Sequence, residues 1–186
     1  MERSRFRGLN SMALVVFLRG VNVGGHRAFK PSLLAKELAD FDVLNVGAAG
    51  TLVVRGRVSQ AALRAALLER LPFQPELMIC RSGDIVELTT ADPFADQSVG
   101  PDVKKYVTVL AKRPSVIPNL PISRPAGSDW QVKLVAIRDR FVLSLHRRLG
   151  RALIYPNEVV EKTLGVSATT RNWNTINAVH DILKRG

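Results

Sequence analysis

A glycine-rich loop near the start of the chain has the composition of an anion-binding turn. It covers residues 19–25, between an apolar run and a helical pattern. Glycines such as Gly20, Gly24 and Gly25 permit backbone angles that other residues resist, and such turns can leave N–H groups pointing outward. Arg19 can hold an anion with two parallel hydrogen bonds, and Asn22 can donate and accept. The loop lacks the dinucleotide and P-loop spacings, so it predicts a general anion site or, alternatively, a closely packed turn.

A second candidate segment, residues 169–175, lies near the end of the chain. Here an asparagine can cap the last helix, and the N–H groups of a helix start beside an arginine favour an anion. The alternative is that the segment only fixes the helix to the sheet, with Trp173 as a core anchor at helical spacing. The ligand-binding candidates of this segment are Thr170, Arg171, Asn172 and Asn174.

Basic residues are concentrated in the second half of the chain. The net charge is +11, and residues 99–186 hold 15 lysines and arginines against 6 aspartates and glutamates. Such an asymmetry can attract nucleic acid or nucleotides, although a solvated basic surface gives the same composition. The closely spaced strand aromatics of ferredoxin-like RNA-binding domains are absent. The candidate basic patch consists of Lys104, Lys105, Arg147, Arg148 and Arg151.

The sequence offers few residues that could act together in catalysis. His26, His146 and His180 are scattered, and no spacing of histidine, cysteine and carboxylate residues suggests a metal site. No nucleophile, base and orienting group can be assembled from the residues, so the sequence leaves open whether the protein is an enzyme. We therefore expect neither a metal nor a cofactor. The single cysteine, Cys80, excludes an internal disulfide and fits a reducing cytoplasm.

The first half predicts the order strand, helix, strand, strand, helix, strand. Residues 13–18, 43–46, 51–55 and 76–80 have the composition of strands. One helix opens near Pro31, and a second follows Ser59, a suitable N-cap. A short helix is predicted over residues 82–90. This βαββαβ order is that of a ferredoxin-like unit.

The second half repeats part of that order. Strands are predicted over residues 106–110, 131–137 and 141–145, and a proline-rich extended connection follows the first of them. Asn157 is expected to cap a helix that ends at Gly165, and a last helix runs from about Asn172 to Lys184. The fold class is therefore α+β, with a second, basic ferredoxin-like subdomain that carries the C-terminal helix.

The two candidate segments together resemble the bacterial domain-of-unknown-function family 1697. The resemblance covers nearly the whole chain from Met12 onward and implies two ferredoxin-like α+β subdomains, but no reaction. Where relatives carry a polar turn before the third strand, this chain has Ala48, Ala49, Gly50 and Thr51. If that turn binds a ligand in relatives, most of its side-chain contacts are lost here.

These observations predict three segments of chain: residues 1–11 as a disordered tail or an upstream start, residues 12–98 as the first subdomain, and residues 99–186 as the second. No apolar run approaches a membrane span, so we expect a cytoplasmic protein without a membrane partner. The oligomeric state is left open.

For function, the residues favour a non-catalytic binder of an anionic ligand, either nucleic acid or a nucleotide. The glycine loop and the start of the last helix would form one site. One alternative is an enzyme that acts on a phosphorylated substrate held by Arg19 and Arg171. Another is a structural or oligomeric scaffold in which both segments serve only the fold.

Overall fold

The computed structural model describes residues 12–21, 29–97, 99–150 and 153–185. Contacts divide the chain into two units, the first containing residues up to Thr90 and from Thr175 onward, and the second spanning Ala91–Asn174. The predicted subdomain limits at residues 98 and 99 stay a prediction. The predictions for the tail, residues 1–11, and for Asn22, Gly24, Gly25 and Arg151 concern residues outside the described part of the chain.

The first unit has the predicted order of elements up to its fourth strand. These elements are β1 (Leu14–Leu18), α1 (Pro31–Glu37), a 3-10 turn (Ala39–Phe41), β2 (Val43–Asn45), β3 (Thr51–Val54), α2 (Gln60–Arg70), β4 (Leu77–Arg81) and α3 (Ser82–Thr90). The four strands form an antiparallel sheet in the order β2-β3-β1-β4. Every residue of the central strand β1 is buried, which explains its continuous apolar sequence.

Local sequence signals set the limits of the first-unit helices. Ser59 caps α2 as predicted, since its hydroxyl accepts a hydrogen bond from the Ala62 N–H at 3.1 Å. Leu63 and Leu67, four residues apart, are fully buried and join the core beneath the sheet. The predicted short helix over residues 82–90 is confirmed as α3.

The second unit is built on a five-stranded antiparallel sheet. Its elements are β5 (Lys104–Leu110), β6 (Ile122–Arg124), β7 (Val132–Arg138), β8 (Phe141–His146), α4 (Pro156–Leu164) and β9 (Ala168–Asn172), followed by the start of α5 (Trp173–Arg185). The strand order is β6-β7-β8-β5-β9. One face of this sheet and α4 enclose an apolar cluster that includes Leu110, Val142 and Val160.

Two strands of this sheet were not predicted, and one helix cap differs from expectation. β6 lies within the proline-rich connection, and β9 contains most of the segment expected to be the approach to the last helix. Asn172 is therefore the last residue of a strand, and the helix begins at Trp173. Tyr155 occupies the N-cap of α4, so the prediction of Asn157 there is wrong. Gly165 ends α4 at φ 64° as predicted.

The last helix has one buried face, formed by Ile176, Val179 and Leu183 at the spacing expected for an amphipathic helix. No helix among the described residues combines the length and the hydropathy needed to cross a bilayer.

Candidate anion-binding site

Four strand ends meet at one end of the second sheet. Lys104, the first residue of β5, pairs with His146, the last residue of β8, and His146 also pairs with Val132, the first residue of β7. At the end of β9, Asn172 pairs with Tyr106 of β5. The register therefore brings together two predicted sets, the basic patch and the segment at residues 169–175. We call this region the basic end of the sheet; its described cationic side chains are Lys104, Lys105, Lys133, Arg147 and Arg148.

A cleft of about 390 Å³ opens between the start of β5 and the start of α5. Pockets for small ligands usually have about 300–1,000 Å³. The cleft is lined by Val103, Lys104, Lys105, Tyr106, Asn172, Trp173 and Asn174. This lining, taken over the described residues, holds two ammonium groups and two side-chain amides but no carboxylate. Four of the residues predicted to bind a ligand or form the basic patch thus share one concave surface.

The two lysines of the cleft have different surroundings. Lys104 is exposed and makes no ion pair with any described residue. Lys105 is half-buried, and its Nζ lies 5.4 Å from the centre of the Phe94 ring. Phe94 is itself buried and packs edge-on against Trp173, with ring centres 5.3 Å apart. A fixed aromatic pair thereby holds one wall of the cleft and steadies Lys105 by a cation–π contact.

His146 contacts the cleft residue Tyr106 and does not bring charge to the cleft. Its ring packs edge-on against Tyr106 at 5.8 Å between ring centres. Burial lowers the pKa of His146 below its ordinary value, a hydrogen bond with the Ile154 backbone opposes that shift, and the Lys104 charge adds to it. The imidazole is therefore neutral at physiological pH.

Beside the cleft, Arg147 is held by the loop that precedes β7. Its Nε donates to the Trp130 carbonyl at 2.7 Å, and its Nη2 donates to the Ser128 carbonyl. The guanidinium carbon and Lys133 Nζ lie 4.3 Å and 4.5 Å from the centre of the Trp130 ring. The sequence did not single out Trp130 or Lys133, because only the pairing of β7 with β8 places them next to Arg147.

Arg171 lies inside the second unit and does not line the cleft. Its side chain is buried, and its Nη1 donates to Thr169 Oγ1 at 2.8 Å and to the Thr170 carbonyl at 2.9 Å. Burial lowers the pKa of Arg171 to about 10, so the guanidinium stays charged at neutral pH. These contacts give Arg171 a role within the fold, and its predicted role towards a ligand stays a prediction.

Thr170 is also engaged within the fold. Its Oγ1 lies 2.8 Å from Thr108 Oγ1 and donates to Asn157 Oδ1 at 3.1 Å. Thr108 must then be the donor of the first bond, since the single proton of Thr170 is used in the second. This chain of three side chains ties β9 to β5 and to α4, and so fixes the strand that carries Asn172.

The described part of the glycine loop belongs to the first unit. The Arg19 N–H donates to the Glu76 carbonyl at 2.9 Å, and the Arg19 Nε lies 3.9 Å from Glu76 Oε2. Gly20 has φ 68°, the left-handed region that favours glycine. Arg19 and Gly20 are thus in one unit and residues 170–174 in the other. The prediction that the two segments share a ligand stays a prediction.

No group of three or more histidine, cysteine, aspartate or glutamate side chains within the described ranges is placed to hold a metal ion. The one cysteine, Cys80, is buried in β4 as a free thiol.

The structure defines the class as an α+β protein with two antiparallel sheets and five α-helices in the part of the chain it describes. Within that class, the chain belongs to the family described as "Protein of unknown function (DUF1697)", whose model matches residues 12–135. This match confirms the resemblance found in the sequence. It includes the glycine loop and stops before the segment at residues 169–175.

One solved structure is similar, that of the "conserved bacterial protein SP0830 from Streptococcus pneumoniae". The TM-score is 0.56 at 17% identity, over 92% of this chain and 98% of that one. At this identity the similarity supports the fold alone. The comparison with curated proteins gave no match.

Proposed function

We propose that the protein is a non-catalytic binder of an anionic, phosphate-bearing ligand, a nucleic acid or a nucleotide, and that the cleft is its binding site. The observation that carries this proposal is the composition of the cleft, in which two lysines, two asparagines and two aromatic residues line one concave surface. Ammonium groups bind phosphate, side-chain amides read base edges, and aromatic rings stack on bases.

The positions of the two lysines support the binding of a phosphate. Lys104 and Lys105 are consecutive in β5, and successive strand residues point to opposite faces of the sheet. Both residues nevertheless line the cleft, because it lies at the end of the sheet, where both faces are accessible. The start of α5, a helix of 13 residues, adds the partial positive charge of a helix N-terminus beside Asn174.

We also propose that both units have the ferredoxin-like fold that the sequence suggested. In the first sheet the order is β2-β3-β1-β4, and in the second the order β7-β8-β5-β9 repeats it. In each unit the first strand (β1 or β5) lies inside the sheet: β3 or β8 pairs with one of its edges, and the last strand (β4 or β9) pairs with the other. The connection that contains β6 would then replace the first helix of the second unit.

Removal of the two lysine charges of the cleft tests the proposed function. The probes are adenosine monophosphate, titrated by calorimetry, and a fluorescein-labelled thymidylate oligonucleotide of about twelve nucleotides, followed by anisotropy. We expect the double variant Lys104→Ala/Lys105→Ala to bind both probes about ten-fold more weakly or worse, because a hydrogen bond to a charged group contributes about 1.5–3 kcal/mol.

The matched control is Lys112→Ala/Arg113→Ala, which removes the same charge at the other end of β5. Both of these residues are exposed and follow the last residue of the strand, Leu110. Thermal unfolding shows that each variant is folded. Equal affinities of the cleft variant and the control variant for both probes would exclude the cleft as the site and favour a scaffold role.

A further inference from the structure

We infer that the ligand is a single-stranded nucleic acid that extends from the cleft across the basic end of the sheet as far as Trp130. This inference rests on the proposed function and specifies which of its two ligands the site takes. It depends on a row of cationic side chains, Lys105, Lys133 and Arg147, that continues beyond the cleft. A single nucleotide bound in the cleft would not extend to Lys133 and Arg147.

The strand register aligns this row. Lys105 of β5 pairs with Leu145 of β8, and Leu145 pairs with Lys133 of β7. Residues that pair directly in an antiparallel sheet share a face, and neighbouring strands are about 4.8 Å apart. Lys133 therefore lies on the same face as Lys105, about 10 Å from it across the strands.

At the far end of the row, contacts with the protein hold the cationic side chains in place. Lys133 and Arg147 are both half-buried, and both lie over the Trp130 ring. Arg147 is further fixed by its two hydrogen bonds to the loop, while its Nη1 donates to no described residue. Cations held in this way lose little side-chain entropy when they bind a phosphate. Arg148, exposed, follows directly in the chain.

The spacing fits a polymer better than a single nucleotide. A stacked strand has about 3.4 Å of rise per phosphate, so the 10 Å between Lys105 and Lys133 corresponds to about three nucleotides. Trp173 lines the cleft and packs on the Phe94 ring that Lys105 covers, so it stands at the start of the row. An unpaired base can stack on such a side chain, which favours a single strand over a duplex.

The test compares Lys133→Gln with Lys105→Gln and with Lys112→Gln as the matched control. The thymidylate oligonucleotide is titrated between about 50 and 200 mM salt, and adenosine monophosphate is titrated by calorimetry. We expect Lys133→Gln to weaken oligonucleotide binding about three- to ten-fold and to reduce the log–log salt slope by about 0.7, without changing the affinity for the mononucleotide. Lys105→Gln should weaken the binding of both probes.

The outcomes separate this inference from the proposed function. If Lys105→Gln weakens both probes while Lys133→Gln behaves like Lys112→Gln, the inference is overturned and the cleft binds a nucleotide only. If an oligonucleotide duplex of the same length binds as tightly as the single strand, the single-strand assignment is overturned. If the unmodified protein binds neither probe, the inference and the proposed function both fail.

Discussion

At the scale of single residues, Gly50 shows how tightly the turn before β3 is packed. It has φ +70°, and a Cβ there would lie 2.7 Å from Val21 Cγ2 and 2.8 Å from Leu18 Cβ. Alanine therefore adds a steric clash, worth about 1–3 kcal/mol, to the cost of a left-handed backbone, about 1–2 kcal/mol. We expect Gly50→Ala to lower the free energy of unfolding by about 2–5 kcal/mol, measured by urea denaturation.

Gly47 provides the control in the same connection. Its φ is +74°, but no atom lies within 4 Å of a Cβ built on it. Gly47→Ala should therefore cost only the backbone component, about 1–2 kcal/mol. Similar losses for the two variants would show that close packing around Gly50 contributes nothing. Such a result would also remove the steric reason for glycine at position 50.

At the scale of elements, β9 is held by side chains as well as by its backbone ladder. Thr170→Val removes the hydroxyl between Thr108 and Asn157 and leaves both without that partner. The loss of hydrogen bonds at a half-buried position costs about 1–2 kcal/mol. We expect a fall of this size in the free energy of unfolding and faster hydrogen exchange of the β9 amides.

Thr163→Val is the matched control for this prediction. Thr163 is half-buried in α4, and its hydroxyl makes no hydrogen bond with any described residue. The same atoms change without the loss of a bond, so the expected effect is below about 0.5 kcal/mol. If both valine variants unfold at the same urea concentration, the bonds of Thr170 do not stabilise β9.

The helices and strands that were predicted correctly include those in which the spacing of apolar residues and, for a helix, a capping residue indicate the same element. Residues 13–18 and the Leu63–Leu67 spacing identify a strand and a helix directly, and Ser59 marks where that helix begins. β9 was missed because its residues are mostly polar and do not alternate. It is a strand because it pairs with β5 and because Arg171, though buried, finds acceptors on its own strand. Tertiary contacts of this kind leave no local signal.

The candidate site shows the same limit. Lys104, Lys105, Asn172 and Asn174 were all predicted from residue type, but as members of two unrelated sets. What joins them is the register of β5 with β9, in which Tyr106 pairs with Asn172. Lys133 and Trp130 were not predicted because their relation to Arg147 depends on the pairing of β7 with β8. Residue type thus indicated that these side chains could bind an anion. Which of them lie together in one site depends on the pairing of the strands.

At the scale of the whole molecule, each unit contains a histidine that folding keeps neutral. Burial lowers the pKa of His146 in the second unit and of His180 in the first, and a neighbouring lysine adds to each shift. For His180, the Asp181 carboxylate, 3.9 Å from Nδ1, opposes it. Nε2 of both rings is buried and has no partner among the described residues. A protonated ring would therefore carry a buried Nε2–H without an acceptor among the described residues, which disfavours the charged form in either unit.

The sign of the pH dependence follows from these two histidines. Their unfolded-state pKa is about 6.5 and their folded-state values are lower, so below about pH 6.5 the unfolded chain binds more protons than the folded one. The free energy of unfolding should thus be highest above about pH 6.5, fall as the pH drops through that value, and level off once the folded-state pKa values are passed. We expect the urea midpoint to decrease between about pH 7.5 and pH 5.5.

The double variant His146→Gln/His180→Gln tests whether these two histidines cause the fall of the urea midpoint at lower pH. Glutamine does not titrate, so the variant should have a nearly flat midpoint over the same pH range, whatever its stability at about pH 7.5. The single variants should each retain part of the slope, one from each unit. A double variant with the same slope as the unmodified protein would mean that other groups carry the pH dependence. The two half-buried imidazoles would then take up a proton in the folded protein as readily as in the unfolded chain.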